Sequence, residues 1–164
     1  MSIKATIQHT LGVSDMLMDK YLSDLAPEAF LARPIAGMNH LAWQVCHLIL
    51  NERKMIEAIK PGSSPALPEG FDTKHAMDKH GVDDPSNFQT KDEYLAMWKA
   101  QRAASRSVLE GMTDDELDAP CPDEKTRRMC PTVATMFNLT GLHALMHSGQ
   151  FVAVRRKEEM PIAF

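Results

Sequence analysis

Four stretches of this sequence repeat apolar residues at three- and four-residue intervals, and that spacing confines most of the chain to amphipathic helices. The first stretch places Ile3, Ile7, Leu11, Met18, Leu22 and Leu25 on one stripe. It is expected to stop by Ala26, because Pro27 disfavours a helical conformation in the residue before it. Pro27 to Phe30 can begin a short helical turn, and Arg33-Pro34-Ile35-Ala36-Gly37 reads as a connector. The second helix is predicted from about Met38 to Lys60, where Pro61-Gly62 ends it. A third opens at Thr90, which has capping-box form with Glu93, and continues through Tyr94, Leu95, Trp98, Val108 and Leu109 to Gly111 or Met112. Thr113-Asp114-Asp115-Glu116-Leu117 looks like a capped single turn. A loop with proline and cysteine then leads to Thr132, the predicted cap of a last helix ending near Lys157.

Residues 63–89 contain Pro65, Pro68, Gly70, Gly81 and Pro85 with little periodicity. The segment is longer than most structureless loops, so it is either a crossover connection or a lid over a site. No strand, internal repeat, low-complexity tract or domain boundary is evident. Burying four apolar stripes around one core is most simply done by a single all-α domain over residues 1–164. That domain is a four-helix bundle with a long connection between its second and third long helices.

A chain of 164 residues buries roughly two-thirds of its unfolded surface, so neither a disulfide nor a metal is needed to hold it folded. A metal site would therefore call for a functional explanation. The formal charge of −4, with tight basic groups such as Arg127-Arg128 and Arg155-Arg156-Lys157 no longer than three residues, argues against a nucleic-acid partner. Both groups are expected as solvated positions at helix boundaries. No apolar run approaches the ~20 residues that span a bilayer, and the N-terminus lacks a signal-peptide core, so a cytoplasmic protein without membrane partners is expected. Cys46, Cys121 and Cys130 are odd in number and show no CxxC spacing, which favours reduced thiols over a disulfide framework or a thiolate zinc site.

The last helix carries polar groups inside its apolar stripe, which runs Met136, Leu139, Thr140, His143, His147, Gln150, Phe151 and Val154. His143 and His147 lie one turn apart on one face, so both imidazoles can reach one ion. Such a pair is a weak signal by itself, since histidines at this spacing often only hydrogen-bond. On the second helix His40, Trp43, His47 and Asn51 share a stripe, and His47 offers a third imidazole from a facing helix. The main apolar arc of that helix, Leu41, Val45, Leu48, Ile49 and Ile56, lies nearly opposite His47, while Trp43 and Leu50 make the His47 side partly apolar too. The helix is therefore expected to be buried on more than one side near its start, with His47 facing a cleft. The alternative is a histidine that binds no ion.

Three histidines are the ligand set of a catalytic metal site with open positions, whereas a fourth protein ligand would favour a structural one. His40 sits two turns from His47, ~10 Å along the axis, too far for both to bind one ion easily. It is expected, with Trp43, behind the ligands or facing substrate. Asn51 and Gln150 fall one turn beyond His47 and His147, where each can orient an imidazole or a bound water. His75 and His80, among Asp72, Asp78, Asp83 and Asp84, read as part of a solvated polar loop.

The runs Asn39-His40-Leu41-Ala42-Trp43-Gln44-Val45-Cys46-His47-Leu48 and His143-Ala144-Leu145-Met146-His147-Ser148-Gly149-Gln150 together resemble the DinB/YfiT-like superfamily of metalloenzymes. Gly111-Met112-Thr113-Asp114-Asp115-Glu116-Leu117-Asp118 is similar to the segment these proteins carry at the end of the third helix, and the resemblance covers nearly the whole chain in order. It implies a four-helix bundle and a divalent ion, usually zinc or nickel, bound by three histidines that map onto His47, His143 and His147. Relatives include thiol-dependent S-transferases and a thiol-dependent maleylpyruvate isomerase, so the resemblance implies a low-molecular-weight thiol and a small electrophile as partners. A metal-dependent hydrolase is a weaker reading. Residues 144–146 between the two histidines supply no acid, and Glu52 and Glu57 point away from the His47 stripe. A non-catalytic stress-linked protein that binds a metal or small ligand, and a homodimer through an exposed helix face, stay open.

Overall fold

The computed structural model describes residues 2–162, apart from the Met77 side chain, and all its regular elements among them are helical. Four long helices are joined by shorter turns: α1 (Ile3–Leu22), α2 (Leu41–Ile59), a single turn α3 (Phe71–Lys74), α4 (Lys91–Glu110), a second single turn α5 (Asp114–Asp118) and α6 (Val133–Lys157). Capping boxes at Thr90–Glu93 and Thr113–Glu116 start α4 and α5, and Thr132 caps α6. Helix α1 ends three residues before Leu25, yet Leu25 stays in the core at 2% exposure. Helix α2 starts at Leu41 rather than Met38 because His40 takes the N-cap. The His40 Nδ1 accepts the Trp43 backbone N–H at 3.0 Å, and its Nε2 lies 3.1 Å from the Val82 carbonyl.

Side-chain contacts define the helix directions. Lys4 in the first turn of α1 donates to the Glu110 carbonyl at the end of α4, while Lys91 at the start of α4 donates to the Ser23 and Leu25 carbonyls beyond α1. These two helices are antiparallel. Ile7 packs in one cluster with Val133 and Phe137, and Arg155 near the end of α6 reaches the Tyr21 carbonyl, so α1 and α6 are parallel. Gln44 near the start of α2 meets His147 in the second half of α6, and Met55 packs with Met136, so α2 and α6 are antiparallel. It follows that α2 and α4 run the same way.

A parallel pair cannot be joined by a tight turn. The chain must return along α2, roughly 28 Å at 1.5 Å per residue, which takes at least about eight extended residues. Residues 60–90 are that crossover. They are pinned to the bundle: Arg33 bonds Asp83 and the His80 carbonyl, Arg53 bonds the Pro65 carbonyl, and the His75 ring sits between the Phe71 carbonyl and the Tyr94 hydroxyl. His75 is only 3% exposed, which corrects the solvated-loop expectation for it. Its loop position hid the fact that one ring nitrogen meets the Tyr94 hydroxyl on α4 while the other meets the Phe71 carbonyl within the crossover.

Two further polar groups lie inside. Arg155, expected at a solvated helix boundary, is buried, with its Nη2 3.0 Å from Asp24 Oδ2. Midway along the bundle Arg102 Nε lies 3.0 Å from Asp15 Oδ1, and Arg102 Nη2 lies 3.2 Å from Glu52 Oε2. Arg106 Nη2 bonds Asp15 Oδ2 at 2.6 Å, Ser105 Oγ bonds Glu52 at 2.6 Å, and Arg102 Nη1 reaches Thr140 Oγ1 at 3.2 Å. All four long helices therefore meet in a charge-neutral knot. Gly141 lets α6 approach α1 closely: a Cβ there would come within 2.9 Å of the Thr10 methyl.

Candidate metal centre

Helices α2 and α6 cross where His47 faces His143 and His147. One ligand atom from each imidazole lies within 4.8 Å of the others, and no acid or thiol joins the group among the described residues. His143 Nε2 and His147 Nε2 are 3.2 Å apart. Two nitrogens at 2.0–2.1 Å from a tetrahedral zinc stand about 3.3 Å apart, so the α6 pair already has the spacing of two ligands of one ion. The His47 ring lies 5.1 and 5.3 Å, centroid to centroid, from the rings of His143 and His147. The donor set fits a divalent ion.

Neighbouring side chains fix the rings. Gln44 is fully buried, and its Nε2 donates to the Asn39 carbonyl at 2.7 Å, which leaves its Oε1 to face His147 Nδ1 at 2.9 Å. His147 Nδ1 therefore carries the proton and donates, and the Nε2 lone pair is turned toward His143. Asn51 Nδ2 donates to the His47 carbonyl at 2.8 Å and lies 3.1 Å from His47 Nδ1. Trp43 stacks on the His47 ring with centroids 5.0 Å apart and planes 13° from parallel. Burial, reinforced by the neighbouring imidazoles, pushes His143 and His147 down to about 4, and burial lowers His47 as well. At neutral pH all three rings are uncharged, the form in which imidazole binds a metal.

Of the residues singled out in the sequence, His47, His143 and His147 are brought together, with Trp43 and Asn51 on His47. His40 lies apart, both its ring nitrogens occupied in capping α2 and in holding the Val82 carbonyl. Gln150 is half-buried, while the residue that contacts His147 is Gln44, from the other helix. The signal for Gln44 in the sequence is its spacing: four residues after His40 and three before His47, it lies on the same face of the helix.

The chain matches the DinB superfamily family model over residues 11–151, from within α1 to within α6. It belongs to the DinB superfamily. No curated protein and no solved structure matches it. For this DinB-like chain the three-histidine group is one that could hold a divalent metal. No helix among the described residues is long and apolar enough to cross a membrane.

Proposed function

We propose that this chain, as one domain, is a metal-dependent enzyme in which His47, His143 and His147 hold a divalent ion, zinc or nickel, and that it transfers a low-molecular-weight thiol onto a small electrophile. The observation that carries the reading is the trio itself: three neutral imidazoles, no fourth protein ligand among the described residues, and an adjoining cleft of ≈420 Å³. Structural sites are usually closed by four protein ligands, while catalytic ones keep a position for the reactant. An ion there lowers the pKa of a bound thiol and so supplies the nucleophile near neutral pH.

The protein's own groups do the rest. Gln44 holds His147 in the tautomer that exposes Nε2, Trp43 and Asn51 contact the His47 ring, and an apolar cleft wall borders the imidazoles. A hydrolase would need a general base beside the centre. Glu52, the buried acid nearest in sequence to the His47 turn, is instead committed to Ser105 and Arg102. Thiol transfer requires no such base. Three free, buried cysteines fit a reducing compartment, so cytoplasmic localisation belongs to the proposal, as do small-molecule partners and a homodimer.

Elemental mass spectrometry on untagged protein tests the centre. The wild type is expected to carry about one zinc or nickel per chain, and His47→Ala and His143→Ala to lose it while keeping their helical circular dichroism. Metal-loaded protein should then consume thiol only when an electrophile is present. Stoichiometric metal with no response to any thiol would assign the chain to the non-catalytic binding proteins instead.

A further inference from the structure

His47 and Asn51 line two cavities rather than one. On the α6 side, the ≈420 Å³ cleft is walled by Met55, Met129, Leu139, Leu142 and Met146, and the only titratable groups in its lining are His47 and His143. On the crossover side, a cavity of ≈260 Å³ is lined by Lys54 and Asp72 together with Leu50, Ala76 and the His75 ring. The two chambers differ in chemistry and share the His47–Asn51 edge. Met129, Leu142 and Met146 are 68%, 48% and 59% exposed, so three large apolar side chains face solvent around one opening that leads to the imidazoles. Exposed apolar surface gathered at a recess marks a binding site rather than scattered surface residues.

We propose that the ligand of this centre is amphipathic. Its apolar body lies in the methionine–leucine cleft, and its polar head lies on the side of Asp72 and of Lys54, whose Nζ is 3.6 Å from Asp123 Oδ2. The inference rests on the reading of the three histidines as a metal centre and adds the substrate class to it. Because the apolar walls converge on His143 and His47, whatever fills the cleft touches the ligand face of the imidazoles. That argues for a small molecule over a second copy of the chain. Methionine side chains are unbranched and adaptable, so the cleft accepts apolar bodies of different shapes, and selectivity falls on the polar end.

The experiment uses the full chain loaded with cobalt(II), whose absorption band on thiol ligation reports binding without turnover. Straight-chain thiols from ethanethiol to hexanethiol are titrated into the wild type, into Leu142→Gln/Met146→Gln and into Lys54→Glu. In the wild type each added methylene should tighten binding roughly three- to fourfold until the cleft is filled. The Leu142→Gln/Met146→Gln protein should take up as much cobalt as the wild type yet lose that increment. Lys54→Glu should keep the increment and weaken 3-mercaptopropionate severalfold relative to propanethiol. Cobalt-loaded wild type whose affinity is flat along the series would overturn the inference and leave the metal centre standing. A wild-type dimer that the double glutamine variant abolishes, with no chain-length effect, would assign the apolar rim to a second copy. Wild type that takes up no cobalt would instead remove the reading of the centre, and this inference with it.

Discussion

Two polar clusters, one where all four long helices meet and one between α2 and α6, solve the cost of burial in opposite ways. The knot of Asp15, Glu52, Arg102 and Arg106 is charged and internally matched. Burial drives Glu52 up and Arg102 down, and each acts back on the other to favour its charged form. Every charge there has an opposite charge within 3.2 Å. The imidazole trio is uncharged, with Gln44 facing His147 Nδ1 and Asn51 beside the His47 ring, while the ring nitrogens converge without a proton or a carboxylate to satisfy them all. A cluster that completes itself contributes to holding helices in register; one left incomplete has coordination to offer. The difference is between burial that closes on itself and burial that leaves ring nitrogens turned toward one another.

The largest test of this contrast is Arg102→Met. It leaves Glu52 and Asp15 without their buried partner and should destabilise the protein by about 3–5 kcal/mol, read from the denaturation midpoint. The double variant Arg102→Met/Glu52→Met, which keeps the Asp15–Arg106 pair, should be less destabilised than the sum of the singles. Additive losses would mean that the knot is not one unit. Next in size is Gln44→Leu, which leaves His147 Nδ1 unpartnered and should weaken metal binding roughly 10- to 100-fold in a competition titration. If affinity is unchanged, the amide does not orient the ring.

The smallest effect is that of pH on the metal-free protein. His143 and His147 have pKa values pushed down to about 4 in the folded chain, below the ordinary 6.5, so between these limits the unfolded chain binds more protons. Their contribution is fully present above 6.5 and is lost as pH falls toward 4. The wild type should therefore lose stability on acidification more steeply than His143→Ala, as measured by urea titrations at pH 7, 6 and 5. Parallel slopes would show that the imidazoles are not desolvated.

Much of this was legible in the chain. The capping residues Thr90, Thr113 and Thr132 announce their helices because capping is local chemistry between residues three apart. His143 and His147 could be paired on sight because one helical turn separates them. His40 was harder to place, since its role depends on the Val82 carbonyl, which the crossover brings from 42 residues away. The buried Arg155, His75 and Glu52 were illegible for the same reason. A charged or polar residue is read as solvated unless its partner is known, and their partners Asp24, Tyr94 and Arg102 lie on other segments.

By itself the sequence determined the four long helices, the caps of α4, α5 and α6 and the two imidazoles of α6, because hydrophobic periodicity, capping and i,i+4 spacing act within a few residues. Only the tertiary structure decided that α2 and α4 run parallel, that His47 meets the α6 pair, that Gln44 sets the His147 tautomer and that the cleft beside them is apolar. Each of these depends on which faces of distant helices come into register, and that is settled by packing the whole core at once.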